Sequence, residues 1–207
     1  MKKRVFSLVL ALLVCAVLIP APEAHAAPNT INVYNWGQYI SDGTDGYIDI
    51  NAAFEEATGI HVNYMTFDSN ETMYTKLKTG GSSYDVIIPS DYMVGRLIDE
   101  GLLLPLNFDN IPNYQYMDEA YKNTAYDPDN LYSVPYTWGT VGIIYNSAMV
   151  DGDITDWSAM FDPQYAGQVL MIRNSRDALG IALLELGYDL NTTDESQIRE
   201  AYQLLVD

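Results

Sequence analysis

The sequence predicts an α/β protein built on a parallel sheet, and the order of its first apolar segments supports this class. Three strand-like runs cover residues 31–34, 60–66 and 84–89, and each interval between them carries a helix pattern. Parallel neighbours need a crossover connection, which is usually a helix. The βαβαβ order therefore favours a parallel sheet covered by helices on both faces.

Each of the two crossover helices has its own start and stop signals. The first is predicted over 48–57, where apolar residues recur at helical spacing and Gly59 follows as a terminator. The second is predicted over 69–79. Asp68 and Glu71 have capping-box spacing at its start, and Gly80-Gly81 closes it.

The remainder of the chain predicts further helices and strands. Helices are expected over about 91–100, 175–186 and 194–206, the last with Ile198, Tyr202, Leu205 and Val206 on one apolar stripe. Strands are expected in the β-rich run 133–146 and over 168–172.

A boundary between two lobes is expected within the β-rich run. Gly139 and Gly142 in this run suit a strand that passes close to another backbone, or a hinge. We therefore predict a first α/β lobe over 27–137, followed by a hinge and a partial second α/β lobe over 138–207.

The N-terminal residues 1–26 have the pattern of a secretory signal peptide. Lys2-Lys3-Arg4 precedes an apolar run over 5–19, and Ala24-His25-Ala26 offers a small-x-small cleavage site. The mature chain would begin at Ala27 without cysteine, which excludes disulfides and cysteine chemistry. Alternatively, Cys15 is a lipidated N-terminus. Both alternatives place the protein in the periplasm or elsewhere outside the cytoplasmic membrane.

The charge of the chain restricts its ligands. The formal net charge is −18, and 48% of the residues are hydrophobic. An acidic field repels nucleic acid and anionic lipid and attracts cations, so a basic ligand is expected and nucleic acid is not. The alternative is that the acidity only keeps an exported protein soluble.

The residues that follow the predicted strands suggest a binding rim. In open α/β sheets, ligands bind beyond the carboxyl ends of the strands. Those ends carry aromatic, hydroxyl and carboxylate groups, in residues 35–39, 66–68, 90–92 and 173–177. Aromatic faces attract ammonium groups and carboxylates accept their hydrogen bonds, so this set suits a cationic, partly apolar ligand.

Each of these residues also has a purely structural interpretation. Trp36 could simply cover the sheet edge. Ser90 stands where a helix N-cap belongs, and Asn174 and Asp177 have the spacing of a capping pair. Their common location at strand ends is what favours a shared binding role.

Enzyme and metal signatures are absent or weak. The sequence has no G-x-x-x-x-G-K-[ST], H-E-x-x-H or G-x-S-x-G motif, and His61 is the one histidine after the predicted signal. The run 151–156 hints at a calcium loop, but Asp156 stands where the sharp turn needs glycine. The chain has many acidic residues, but their spacing does not indicate any particular pair suited to glycoside hydrolysis. We predict no catalytic residue, cofactor or metal.

Four ordered motifs resemble a known family. The runs YNWGQY at 34–39, SNETMYTKL at 69–77, YDVIIPS at 84–90 and SVPYTWG at 133–139 closely resemble the spermidine/putrescine-binding proteins of bacterial ABC transporters. The resemblance implies a two-lobed periplasmic-binding-protein fold of type II-like architecture, with the first lobe largely present and the second incomplete. It also implies a monomer that holds polyamine in its interlobe cleft and delivers it to a membrane permease, with no bond made or broken.

The resemblance also implies the ligand-binding residues. The family's first-loop tryptophan, acidic residue and tyrosine correspond to Trp36, Gln38 and Tyr39, its serine and aromatic residue after the third strand to Ser90 and Tyr92, and its acidic pair to Asn174 and Asp177. With Gly37 and Asp91 these form the predicted site. Gln38 and Asn174 depart from the family, because neutral amides stand where carboxylates are usual.

These departures leave alternatives open. Weaker binding, a different polyamine, or compensation by Asp91 would each be consistent with them. A protein of the same fold for another amine, an amino acid or a sugar is the nearest rival hypothesis, and an exported hydrolase is the distant one. The resemblance further implies that the chain stops before its second lobe is complete.

Overall fold

The computed structural model describes residues 29–80 and 83–206. The predicted signal peptide and Cys15 lie outside the described residues. The chain divides into two compact units, Met1–Pro89 and Ser90–Asp207. This division differs from the predicted lobe boundary at 137/138, which stays a prediction.

The first unit contains a parallel three-stranded sheet, as predicted. Its strands are β1 (Thr30–Trp36), β2 (His61–Phe67) and β3 (Val86–Ile87), in the spatial order β2-β1-β3. The chain leaves the central strand toward one edge and then returns to pair on its other side. Trp36 and Phe67 are register partners, so the carboxyl ends of β1 and β2 lie side by side.

Two helices connect these strands. Helix α1 (Ile50–Thr58) is capped by Asp49, whose side chain accepts from the N–H of Ala52, and Gly59 ends it at φ 70°. Helix α2 (Asn70–Thr79) begins after Ser69, whose side chain accepts from the N–H of Thr72. The expected capping role of Asp68 is therefore wrong, since the residue one step later has the N-cap geometry.

The buried core of the first unit lies around Tyr34. Tyr34, Phe67 and Met73 are at most 7% exposed. The Tyr34 ring stacks on Tyr84 at a centroid distance of 4.6 Å and meets Phe67 edge-on at 5.0 Å. Aromatic packing thus connects β1 to β2 and to the segment that precedes β3. It holds the carboxyl end of β1 in place.

The second unit contains three α-helices. They are α3 (Asp91–Asp99), α4 (Ser175–Glu185) and α5 (Glu195–Val206), and the helix predictions for these segments are confirmed. Ala182, Leu183 and Ala201 form a buried cluster between α4 and α5. Short 3₁₀ helices occur elsewhere in the chain, at Thr44–Gly46, Phe108–Asn110, Pro112–Tyr116, Glu119–Tyr121, Trp157–Met160 and Pro163–Tyr165.

Both strand predictions for the second unit are wrong. Residues 133–146 and 168–172 form no strand. A strand needs a partner, and no described segment pairs with either run. A Cβ added at Gly139 or Gly142 would meet nothing within 4 Å, so no close contact in this structure requires glycine at either position.

The predicted α5 stripe is only partly correct: Ile198 and Leu205 are partly buried, whereas Tyr202 is 58% and Val206 55% exposed. Ala201, which was not predicted, is buried.

A buried carboxylate organises the loop that precedes these runs. Asp127 is 3% exposed and accepts hydrogen bonds from the N–H groups of Leu131, Tyr132 and Ser133 and from the Ser133 hydroxyl, at 2.8–3.0 Å. Burial alone would raise the pKa of Asp127, but these hydrogen bonds outweigh it and hold the pKa below its ordinary value.

None of the helices among residues 29–80 and 83–206 is long and apolar enough to cross a membrane.

Candidate ligand-binding site

An open concavity lies at the carboxyl ends of β1 and β2. Its volume is about 560 Å³, within the range usual for small-molecule sites. We call it the aromatic concavity. It is lined by Tyr34, Trp36, Gly37, Gln38, Tyr39, Thr66, Phe67, Asp68 and Thr72. Four predicted ligand-binding residues, Trp36 to Tyr39, therefore share one surface.

The aromatic lining residues contact one another. The Trp36 indole lies 4.6 Å from the Phe67 ring and 5.9 Å from the Tyr39 ring, centroid to centroid. Trp36 is half-buried, whereas Tyr39 is 47% exposed. The indole thus packs on the end of the sheet, as the purely structural interpretation predicts. It also lines the concavity.

The polar lining residues are exposed. Gln38 contributes a neutral amide, and Asp68 is the carboxylate in the lining. The Thr72 hydroxyl donates to Asp68 Oδ1 at 3.1 Å, from one helical turn further along the chain. Thr72 and Tyr34 were not among the predicted site residues, although the spacing of Asp68 and Thr72 across the start of α2 was a signal for Thr72.

A lysine of the same chain contacts Tyr34, one of the aromatic lining residues. The Lys76 ammonium lies 4.9 Å from the Tyr34 ring centroid and 5.6 Å from that of Tyr84. Such distances are typical of a cation–π interaction. Lys76 is not a lining residue of the aromatic concavity. These rings therefore attract an ammonium group within the folded chain.

The other five predicted residues lie in the second unit, at the first turns of α3 and α4. Ser90 occupies the N-cap position of α3 without a side-chain capping bond, and Asp91 Oδ1 accepts from the N–H of Tyr92 at 2.7 Å. Asn174 caps α4 by accepting from the N–H of Arg176 at 3.0 Å. The capping interpretation of Asn174 is therefore correct.

The two helix starts converge on one cluster. The Arg176 guanidinium lies 5.1 Å from the Tyr92 ring centroid. Burial, followed by the negative charge of Asp91, raises the pKa of the Asp177 carboxyl. Asp91, Tyr92, Arg176 and Asp177 are thus near neighbours, and we call them the Tyr92 cluster. Arg176 belongs to the predicted binding rim, but no role was predicted for it.

No group of three or more His, Cys, Asp or Glu side chains able to hold a metal ion occurs within 29–80 and 83–206. Residues 151–156 were a weak match to a calcium loop. In the structure, Asp156 caps the 3₁₀ helix Trp157–Met160 by accepting a hydrogen bond from the N–H of Ser158.

Comparison with known proteins identifies the family. The family of bacterial extracellular solute-binding proteins matches residues 49–207. The chain belongs to this family. The match includes α1, β2 and every later element of both compact units.

A curated relative extends the similarity toward the N-terminus. The spermidine/putrescine-binding periplasmic protein of Salmonella typhimurium is 38% identical over 193 residues, which cover 92% of this chain and 54% of the relative. The chain therefore spans about half the length of the curated relatives it matches.

Solved structures confirm the fold class. A Listeria monocytogenes protein described as a spermidine/putrescine ABC transporter matches with a TM-score of 0.77 and 42% identity, over 85% of this chain and 53% of that one. The TpPotD lipoprotein of Treponema pallidum matches with a TM-score of 0.76 and 33% identity, over 85% and 54%. The periplasmic-binding-protein class expected from the sequence is thereby confirmed, with about half of each reference chain represented.

Proposed function

We propose that the protein is an extracytoplasmic solute-binding protein that captures a polyamine such as spermidine or putrescine. The observation that carries this proposal is the aromatic concavity, where Trp36, Tyr39 and Phe67 surround a space that Asp68 also lines. Family membership and the name of the Salmonella relative support the same function.

The chemistry of a polyamine fits this surface. A polyamine alternates ammonium groups with short methylene chains. Aromatic faces attract the ammonium groups, as the position of Lys76 illustrates, and the flat ring walls cover the methylenes. Asp68 and the Gln38 amide oxygen accept hydrogen bonds from ammonium, the carboxylate more strongly.

The Tyr92 cluster supplies a second set of matching groups. Tyr92 offers an aromatic face, and Asp91 and Asp177 offer carboxylates. We assign Ser90, Asn174 and these residues to ligand binding, together with Trp36 to Tyr39. In this assignment Asn174 contributes through its place beside Asp177, since its side-chain oxygen already caps α4.

The proposed transport role depends on a shift between two conformations that ligand binding causes. Ligand would stabilise one conformation of a monomeric protein, and the membrane permease of an ABC importer would recognise that conformation. No bond changes, so no catalytic residue or cofactor is required. Export through residues 1–26, or anchoring through a lipid at Cys15, would place the protein outside the cytoplasmic membrane.

A binding protein for another small solute is the second candidate function. It is favoured by the two neutral amides, because Gln38 lines the aromatic concavity without charge and the Asn174 oxygen is engaged in capping. Fewer carboxylates suit a ligand with fewer ammonium groups, such as a monoamine or an amino acid.

Replacement of Trp36 by alanine tests the proposed site. Equilibrium dialysis of the purified protein with labelled spermidine should show binding at least about tenfold weaker for Trp36→Ala, because the indole supplies both cation–π attraction and apolar cover. Trp138→Ala is the matched control, since Trp138 lies in the second unit and is 70% exposed. Unchanged binding by Trp36→Ala, or equal losses in both variants, would contradict the assignment.

A further inference from the structure

Arg176 is a cation placed within a cluster suited to binding cations. Its guanidinium lies 5.1 Å from the Tyr92 ring centroid, and Asp177 is the next residue in the chain. Among the described residues the guanidinium has no carboxylate within ion-pair distance. The aromatic face of Tyr92 is therefore its principal side-chain partner.

The position of Arg176 is unfavourable for helix stability. It is the second residue of α4, where the positive end of the helix dipole disfavours a cation and favours acids such as Asp177. A guanidinium in the first turn of α4 thus works against the local electrostatics. Its contact with Tyr92 is the observed interaction that compensates for this placement.

A bound polyamine would need the groups that Arg176 occupies. An ammonium group would be attracted by the Tyr92 ring and by the carboxylates of Asp91 and Asp177. The guanidinium already lies against that ring. The ligand must therefore displace Arg176, or bind next to it against repulsion between like charges.

We propose that Arg176 is a specificity-determining residue, an internal cation that competes with the ligand for the face of Tyr92 and disfavours the most highly charged polyamines. This inference rests on the proposed function. Repulsion grows with ligand charge, so Arg176 lowers the affinity for trivalent spermidine more than that for divalent putrescine.

Three variants test the competition by equilibrium dialysis of the purified protein with labelled spermidine and putrescine. Arg176→Gln removes the charge, and Arg176→Lys keeps it. Arg199→Gln is the matched control, since it removes an equal charge from the exposed surface of α5. Thermal melts of all variants establish that each is folded.

We expect Arg176→Gln to bind spermidine roughly threefold to thirtyfold more tightly, the range of a cation–π contact. Its affinity for putrescine should rise less. Arg176→Lys and Arg199→Gln should remain within about twofold of the parent protein. Unchanged or weaker binding by Arg176→Gln would overturn the inference, because it would show that Arg176 only holds Tyr92 in place or contacts the ligand favourably.

The same titrations separate this inference from the proposed function. If the parent protein binds and Arg176→Gln binds no tighter, only the inference fails. If Arg176→Gln binds while the parent does not, the inference stands and the proposed function of the natural chain fails. If neither protein binds either amine, both are overturned.

Discussion

Gln38 limits the charge of the aromatic concavity more directly than any other lining residue. It is exposed and stands where the spermidine/putrescine-binding family that the sequence resembles usually has a carboxylate. Asp68 then remains as the carboxylate of the lining. An amide can accept a hydrogen bond from ammonium, but the bond is about half as strong as one to a charged acceptor. We therefore expect this surface to bind more weakly than one carrying two carboxylates.

Replacement of Gln38 by glutamate should restore the missing charge. We expect Gln38→Glu to bind spermidine roughly twofold to fivefold more tightly in low-salt calorimetry, because a surface charge pair contributes up to about 1 kcal/mol. Gln168→Glu makes an equal charge change at an exposed position of the second unit and serves as control. Equal gains in both variants would point to a general charge effect and against a contact at Gln38.

The site residues differ in how well the sequence predicted them. Trp36 and Tyr39 were predictable because both lie at the carboxyl end of a predicted strand, and the structure places both in the aromatic concavity. Asn174 was recognisable as a cap. The contact of Arg176 with Tyr92 was not predictable, since the two residues are far apart in sequence and meet only through tertiary packing.

At the scale of elements, local signals were sufficient for helices and insufficient for several strands. Helix α1 begins after a capping aspartate and ends at a glycine, so its bounds depend on nearby residues. A strand depends on a distant partner. β1 has two such partners, whereas runs 133–146 and 168–172 have none among the described residues. A strand-like composition is therefore not sufficient to form a strand when no pairing partner is present.

Asp127 is the element-scale feature with the clearest energetic consequence. We expect Asp127→Asn to lower the free energy of unfolding by about 2 kcal/mol in urea titrations, since a buried charged acceptor loses its strongest hydrogen bonds. Asp129→Asn, at an exposed neighbour, should change it little.

The pH dependence of this effect has a definite sign. The pKa of Asp127 is lower in the folded protein than in the unfolded chain, so its stabilisation is fully present above the ordinary aspartate pKa. It is lost as the pH falls through the lowered value. A difference between Asp127→Asn and the parent protein that persists unchanged in strong acid would contradict this origin.

The charge of the whole molecule should govern how salt affects binding. With a formal net charge of −18, the protein attracts polycations over a distance that salt shortens, from about 30 Å at 0.01 M to about 10 Å at 0.1 M. We expect spermidine affinity to fall on the order of tenfold between 10 and 500 mM sodium chloride, and putrescine affinity to fall less. Sucrose at matched osmolality should have no such effect. Equal salt dependence for both amines would argue against electrostatic attraction.

The central claim is that this protein binds a polyamine, and calorimetric titration of the purified, folded protein with spermidine and putrescine tests it most directly. At low salt we expect saturable, one-to-one binding of micromolar affinity or tighter, for at least one of the two amines. A folded sample that shows no binding of either amine by calorimetry, and no change of its melting temperature in their presence, would contradict it.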